Sequence, residues 1–209
     1  EATVICSDKT GTITKGEMTV KQAFFDNSII EVSGTGYNID GEFKNEGMPF
    51  NMKKSSVGNQ LLKIAINCND AGISNSGNDG ICNTIGTPTE AALLIMAGKA
   101  GAFKEDYQYQ RVEEIPFNST RKIMSVICKT REENIMNTKG AVEILIHKCT
   151  KILRKGGVFT LTSKEKERIL KENHRMNTQA LRTLAFAYKK FPQNTSKETK
   201  NSEDNLIFA

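Results

Sequence analysis

Long apolar runs, paired cysteines, clustered histidines and aromatic stripes are all missing from this sequence, and each absence removes a class of function. No run approaches the roughly 20 apolar residues that a membrane-spanning helix needs, and the opening residues do not read as a signal peptide, so a soluble piece is expected. The five cysteines, at positions 6, 68, 82, 128 and 149, are odd in number and widely spaced, with no Cys-x-x-Cys pair. They read as reduced thiols in a cytosolic setting rather than a disulfide framework. The two histidines, His147 and His174, stand apart on helical patterns and offer no zinc-ligand spacing. Tryptophan is absent and aromatics make up 7% of the chain without clustering, which argues against a base-stacking RNA surface. Lys and Arg are scattered along a chain of net charge +5, a balance that suits a small anionic partner such as a nucleotide better than a nucleic-acid arm. No internal repeat is evident.

What is present suffices for a core: 209 residues, 38% hydrophobic and 25% charged, enough for one large domain or one domain with pieces of another. Residues 2–6, "ATVIC", form a short apolar run of the buried-strand type that ends at Ser7-Asp8. "MTVKQAFF" and "SIIEVSG", joined through Asp26-Asn27, resemble a β-hairpin, and 37–56 reads as an irregular excursion. Val57, Leu61, Ile64 and Cys68 recur at helical spacing over 57–69. After a second long loop, Thr87-Pro88-Thr89-Glu90 has the signals of a helix start and a capping box, followed by an apolar helix. Strands are expected at 111–117, 121–129 and 134–139, then a helix at 141–149, a Gly156-Gly157 turn into a short strand, and a long charged helix from Thr162 to about Leu181. "TLAFAYK" and "NLIFA" read as further strands. Adjacent strands without intervening helices imply an antiparallel sheet, so the fold class is α+β (α/β), with about six or seven strands flanked by helices.

The stretch "ICSDKTGTITKGEMTV", residues 5–20, carries the sharpest chemistry. An isolated aspartate after a strand is ordinarily turn chemistry. Here Asp8 is followed by Lys9, Thr10, Gly11 and Thr12, a cation with hydroxyls and close backbone N–H groups. A carboxylate attacks a γ-phosphate when Mg²⁺ and cations offset its repulsion from the phosphate oxygens, and this loop has the residues for that task.

"CSDKTGTIT" followed by "MTV" resembles the phosphorylation motif of the P-type ATPases, ion pumps that form an aspartyl-phosphate. The resemblance makes Asp8 the phosphoryl acceptor and Mg²⁺ ligand, with Lys9 and Thr10 beside it. Thr10 stands where related dehalogenase-like enzymes often carry a second Asp, so the phosphoenzyme should be long-lived. The family inserts a nucleotide-binding domain after this strand, and its short motifs follow here in order. "TPTEAAL" gives Glu90, facing the adenine amino group, although capping alone would also explain that glutamate. "PFNSTRKIMSV" gives Phe117 as the adenine platform with Lys122 and Met124 nearby, and strand alternation would set the latter two on one face. Ser119 replaces an arginine common in calcium pumps, so a phosphate contact is missing or moves to Arg121. "KGAVE" gives Lys139 deep in the site, Gly140 for close backbone approach and Ala141, with Val142 in place of the usual proline. "LRTLAFAYK" gives Arg182 for the phosphates and Leu184 near the sugar.

The resemblance implies three parts: residues 1–14 as a stub of the phosphorylation domain, 15–204 as the nucleotide-binding domain, and 205–209 as a return strand. It implies ATP and Mg²⁺ as cofactors, ATP or ADP and the rest of the pump as partners, no nucleic acid, a monomer, and a place at the cytoplasmic face of a membrane. "GEMTV" and "VSGTGYNIDGEF" look like the calcium-pump branch, with Na⁺/K⁺ or H⁺ pumps as the alternative. The family's later strands, lysine and acidic Mg²⁺ loop do not follow "NLIFA", so these residues are expected to bind nucleotide without turnover. A stand-alone phosphatase would need that acidic loop, and a non-catalytic nucleotide- or RNA-binding module is the remaining alternative.

Overall fold

The computed structural model describes Thr3 and residues 16–75, 81–195 and 202–209. Asp8, Lys9 and Thr10 lie outside the described residues. Among the described residues the first strands are β1 (Gln22–Phe25) and β2 (Ser28–Val32). Asp26 and Asn27 join them with φ of 50° and 60°, the left-handed pair that a two-residue hairpin turn requires and that these residue types tolerate best. The expected irregular stretch supplies two further short strands, β3 (Phe43–Asn45) and β4 (Met48–Pro49), giving a four-stranded sheet in sequence order. Three and two residues are too few for alternation to register in a sequence.

Helix α1 (Ser56–Asn67) begins at Ser55, whose hydroxyl accepts the Gly58 N–H at 3.1 Å. Its apolar face buries Val57, Leu61, Leu62, Ile64 and Ala65, each large side chain contributing roughly 1.5–3 kcal/mol on full burial. The loop expected after it contains a small two-stranded sheet, β5 (Gly72–Asn75) and β6 (Cys82–Ile85). Then come α2 (Pro88–Lys99), buried from Ala91 to Gly98 as its all-round apolar pattern demands, and the single turn α3 (Lys104–Tyr107).

Strands β7 (Gln110–Ile115), β8 (Ile123–Lys129) and β9 (Asn134–Gly140) form the expected antiparallel meander. Helix α4 (Val142–Lys148) leads directly into β10 (Cys149–Arg154), so Cys149 starts a strand where the sequence suggested a helix end. After β11 (Gly157–Thr160), a reciprocal capping box between Thr162 and Glu165 opens α5 (Ser163–Thr178). Ala180, at φ 58°, ends that helix three residues earlier than its charge pattern suggests. Strands β12 (Ala185–Phe191) and β13 (Leu206–Phe208) complete a seven-stranded sheet of order β11-β10-β13-β12-β9-β8-β7. All its pairings are antiparallel except β10 with β13. The α+β expectation holds.

Alternation divides this sheet into two faces. Met124, Val126, Cys128, Phe186 and Tyr188 point to a core shared with α1 and α2. Ile123, Ile127, Met136, Ala185 and Ala187 point to the other, shared with α4 and α5.

Candidate nucleotide site

Antiparallel pairing brings three of the four motifs to one end of the sheet, and the fourth, at the start of α2, reaches it through Glu90. Strand β7 ends at Ile115, two residues before Phe117; β8 begins at Ile123, just after Lys122; β9 ends at Gly140; and β12 begins at Ala185, just after Leu184. In register, Ile123 opposes Gly140, and Met124 opposes Lys139, which opposes Phe186 on its other side. Met124, Lys139 and Phe186 therefore form one row on the α1/α2 face.

Lys139 is 8% exposed at its side chain, and its ammonium meets the Glu90 carboxylate, 12% exposed, at 2.6 Å. A buried ammonium requires such a partner. Thr87 caps α2 by accepting the Glu90 N–H at 3.3 Å. The Glu90 Oε2 accepts the Thr87 hydroxyl at 3.2 Å, while Oε1 accepts from Lys139 and from the Asp70 N–H at 3.3 Å. One Glu90 oxygen thus closes the helix start with the Thr87 hydroxyl, and the other meets Lys139 and the Asp70 N–H. The buried Asn69 amide fixes this helix start, donating to the Glu90 carbonyl and to the Ala65 carbonyl at 3.0 Å each.

Gly140 has a requirement that the sequence reading did not anticipate. A Cβ there would lie 2.4 Å from the Lys122 carbonyl oxygen and 2.7 Å from the Ile123 Cα, so the empty space is taken by the neighbouring strand. The Ala141 N–H donates to that same Lys122 carbonyl at 3.0 Å. Lys122 itself is not in β8. Its φ of 57° breaks the strand, so alternation does not place it beside Met124, and its side chain is exposed while Met124 is buried. Phe117 is 61% exposed, on a loop that Asn118 folds back by accepting the Thr120 N–H at 2.8 Å. The Arg121 guanidinium is turned to Glu203 and to the Ile115 and Pro116 carbonyls.

Arg182 and Leu184 line a cavity of about 350 Å³ walled by β1, α2 and α5. Phe186 and Thr89 also line it, and they are the cross-strand neighbour of Lys139 and the chain neighbour of Glu90. Arg182 and Leu184 thus border a concavity lined also by direct neighbours of Lys139 and Glu90, of a size ordinary for small-molecule sites. Phe186 was legible as an alternating strand residue, but its adjacency to Lys139 depends on register. Among the described residues no group of three or more His, Cys, Asp or Glu could hold a metal, and no helix is long and apolar enough to cross a membrane.

Burial pushes the Cys68 thiol up to about 12, with the nearby Lys139 charge acting in the opposite direction. Its S–H donates to the Met124 carbonyl at 3.4 Å, so it packs under the site as an unreactive small side chain.

The sheet and helices are consistent with the family comparison: residues 58–209 match the family described as "P-type ATPase, cytoplasmic domain N". The chain belongs to that family. It is similar to Calcium-transporting ATPase 1 of Bacillus cereus, 35% identical over 209 residues, covering 99% of this chain and 21% of that protein. Human Calcium-transporting ATPase type 2C member 1 is 38% identical over 189 residues, covering 88% and 20%. The Bacillus subtilis Calcium-transporting ATPase is 31% identical over 208 residues, covering 98% and 23%. The chain spans about a fifth of the length of these curated relatives.

Proposed function

We propose that this chain binds ATP and ADP as the nucleotide-binding domain of a P-type pump that transports calcium. The observation that carries the reading is the convergence of Phe117, Lys122, Lys139, Gly140 and Leu184 at one sheet end, beside the buried Lys139–Glu90 pair. The adenine ring stacks on exposed Phe117, with Lys139 and Glu90 supplying a donor and an acceptor at its edge. Arg182, with Leu184 at the cavity, meets the phosphates. One aromatic–base stack contributes about 1–3 kcal/mol, and with partly solvated cations this gives a dissociation constant of about 0.1–1 mM. Titration of the chain with ATP, followed by amide NMR, is expected to move Phe117, Lys122, Lys139 and Arg182 first. Phe117→Ala binding ATP as tightly as the parent would remove the site.

In the whole pump, residues 1–14 belong to the phosphorylation domain, and 205–209 lead back to it. An oxygen of the Asp8 carboxylate forms a bond to the γ-phosphorus, the bond to the β-bridging oxygen breaks, and ADP leaves. Asp8 with the rest of that domain would hold Mg²⁺, which would supply positive charge against the phosphate oxygens beside Lys9 and Thr10. The 209-residue chain alone is expected to show background acid-stable labelling from γ-labelled ATP; strong, Asp8-dependent labelling would refute this. Calcium as the ion is supported by the relatives' names, and by "GEMTV". Calcium-stimulated ATPase activity of the parent, in membranes where its domain sits at the cytoplasmic face, tests it; stimulation by Na⁺ or H⁺ instead would overturn it.

A further inference from the structure

Phe117 must hold its ring in place without a core to hold it, since it is 61% exposed and belongs to neither hydrophobic cluster. An exposed ring that wanders would spend much of its stacking energy on being ordered. The polar contacts around its loop supply that order. The Arg121 guanidinium donates to the carbonyls of Ile115, at 3.2 Å, and Pro116, the two residues immediately before the ring. Its other side pairs with the Glu203 carboxylate, which is 8% exposed. Glu203 also accepts the Ser125 hydroxyl at 2.6 Å, and Ser125 meets Thr138 at 2.8 Å, anchoring the carboxylate to β8 and β9. The backbone turn between is closed by the Lys122 N–H donating to the Asn118 carbonyl at 2.6 Å.

We propose that Arg121, locked by Glu203, is a positioning residue for the nucleotide site: its planar fork clamps the two carbonyls before Phe117 and presets the ring for the base. The role rests on the ATP-binding reading and adds to it a residue that touches no ligand. A lysine, with one point charge, cannot bridge a carboxylate and two carbonyls in a plane. The clamp also ties the ring to the segment that enters β13, because Glu203 stands three residues before that strand.

Affinities for ATP and for inorganic tripolyphosphate, measured by NMR titration of the parent, Arg121→Lys, Phe117→Ala and the double variant, test this. Arg121→Lys is expected to weaken ATP about 5-fold, to leave tripolyphosphate unchanged, and to add nothing in the Phe117→Ala background. Unchanged ATP affinity overturns the proposal. So does an equal loss of tripolyphosphate, which would make Arg121 a direct charge contact, or a loss that persists without the ring. Glu203→Gln, if it folds, is expected to follow Arg121→Lys. Should Phe117→Ala bind ATP like the parent, the nucleotide reading itself falls. The clamp is then judged by amide order parameters over 118–120, expected below about 0.6 in Arg121→Lys, and unchanged values overturn it.

Discussion

Two ion pairs, each with one buried partner, sit on opposite faces of the same sheet, Lys139–Glu90 toward α1 and α2, and Arg121–Glu203 on the face of Ser125 and Thr138. The second pair is closed: Arg121 also satisfies two carbonyls, and Glu203 also accepts a hydroxyl. The first is open. Among the described residues the Lys139 ammonium has Glu90 as its one hydrogen-bond acceptor, though an ammonium carries three donors. Burial alone therefore does not say what a charge is for. A closed pair fixes the chain, and an open one leaves donors unspent, which is what the proposed nucleotide site requires.

The largest effect expected from this contrast is on stability. Glu203→Ala removes the carboxylate opposite Arg121, leaving that guanidinium its two carbonyls and Ser125 its bond with Thr138, and should cost about 1–3 kcal/mol in urea unfolding. Lys139→Met should cost about 1 kcal/mol or less, because Glu90 keeps its bonds from the Thr87 hydroxyl and the Asp70 N–H. It should nonetheless weaken ATP about 10-fold or more. Equal losses of stability in the two variants would break the comparison.

Alkaline titration sharpens it, because burial affects thiols on both faces alike. Burial raises Cys68 on one face and Cys149 on the other to about 12, and Cys128 to about 11. An unfolded thiol ionises near about 8.5. Between about pH 9 and 11 the unfolded chain has lost protons that the folded chain keeps, so stability falls as pH rises, by up to about 1.4 kcal/mol per pH unit per thiol. Cys68→Ala and Cys149→Ala should each flatten the slope of midpoint against pH by a similar amount. A slope unchanged in both would show that these thiols are not protected by burial.

Legibility followed the length scale of the signal. Capping and periodicity announced α1, α2 and α5, and alternation announced β8 and β12, because those patterns are local and span whole elements. Strands β3 to β6, of two to four residues, were invisible because their pairing partners, not their own sequence, define them. At the site, the resemblance named the residues, but only register shows that Met124, Lys139 and Phe186 form a row. The tie between Arg121 and Glu203 spans 82 positions and left no mark in either neighbourhood. Gly140 was read as close backbone approach to a base, and its second requirement, that a Cβ would meet the neighbouring strand, is one that a single sequence does not show.

The smallest effect lies at Lys122, between the two pairs. It follows Arg121 directly, and its carbonyl receives the Ala141 N–H beside Lys139. A φ of 57° there lets the chain turn Arg121 to one face while β8 starts on register with β9, at a cost of roughly 1–2 kcal/mol for a residue with a Cβ. Glycine removes that cost but adds freedom to the unfolded chain worth about 0.4–1 kcal/mol. Lys122→Gly should therefore be more stable by up to about 1 kcal/mol, while losing the exposed charge and with it some ATP affinity. A gain in stability paired with a loss in binding marks a position whose strain is kept for the site. If stability and binding both fell, the lysine side chain would be holding the loop itself, and the line between closed and open pairs would have to move to include it.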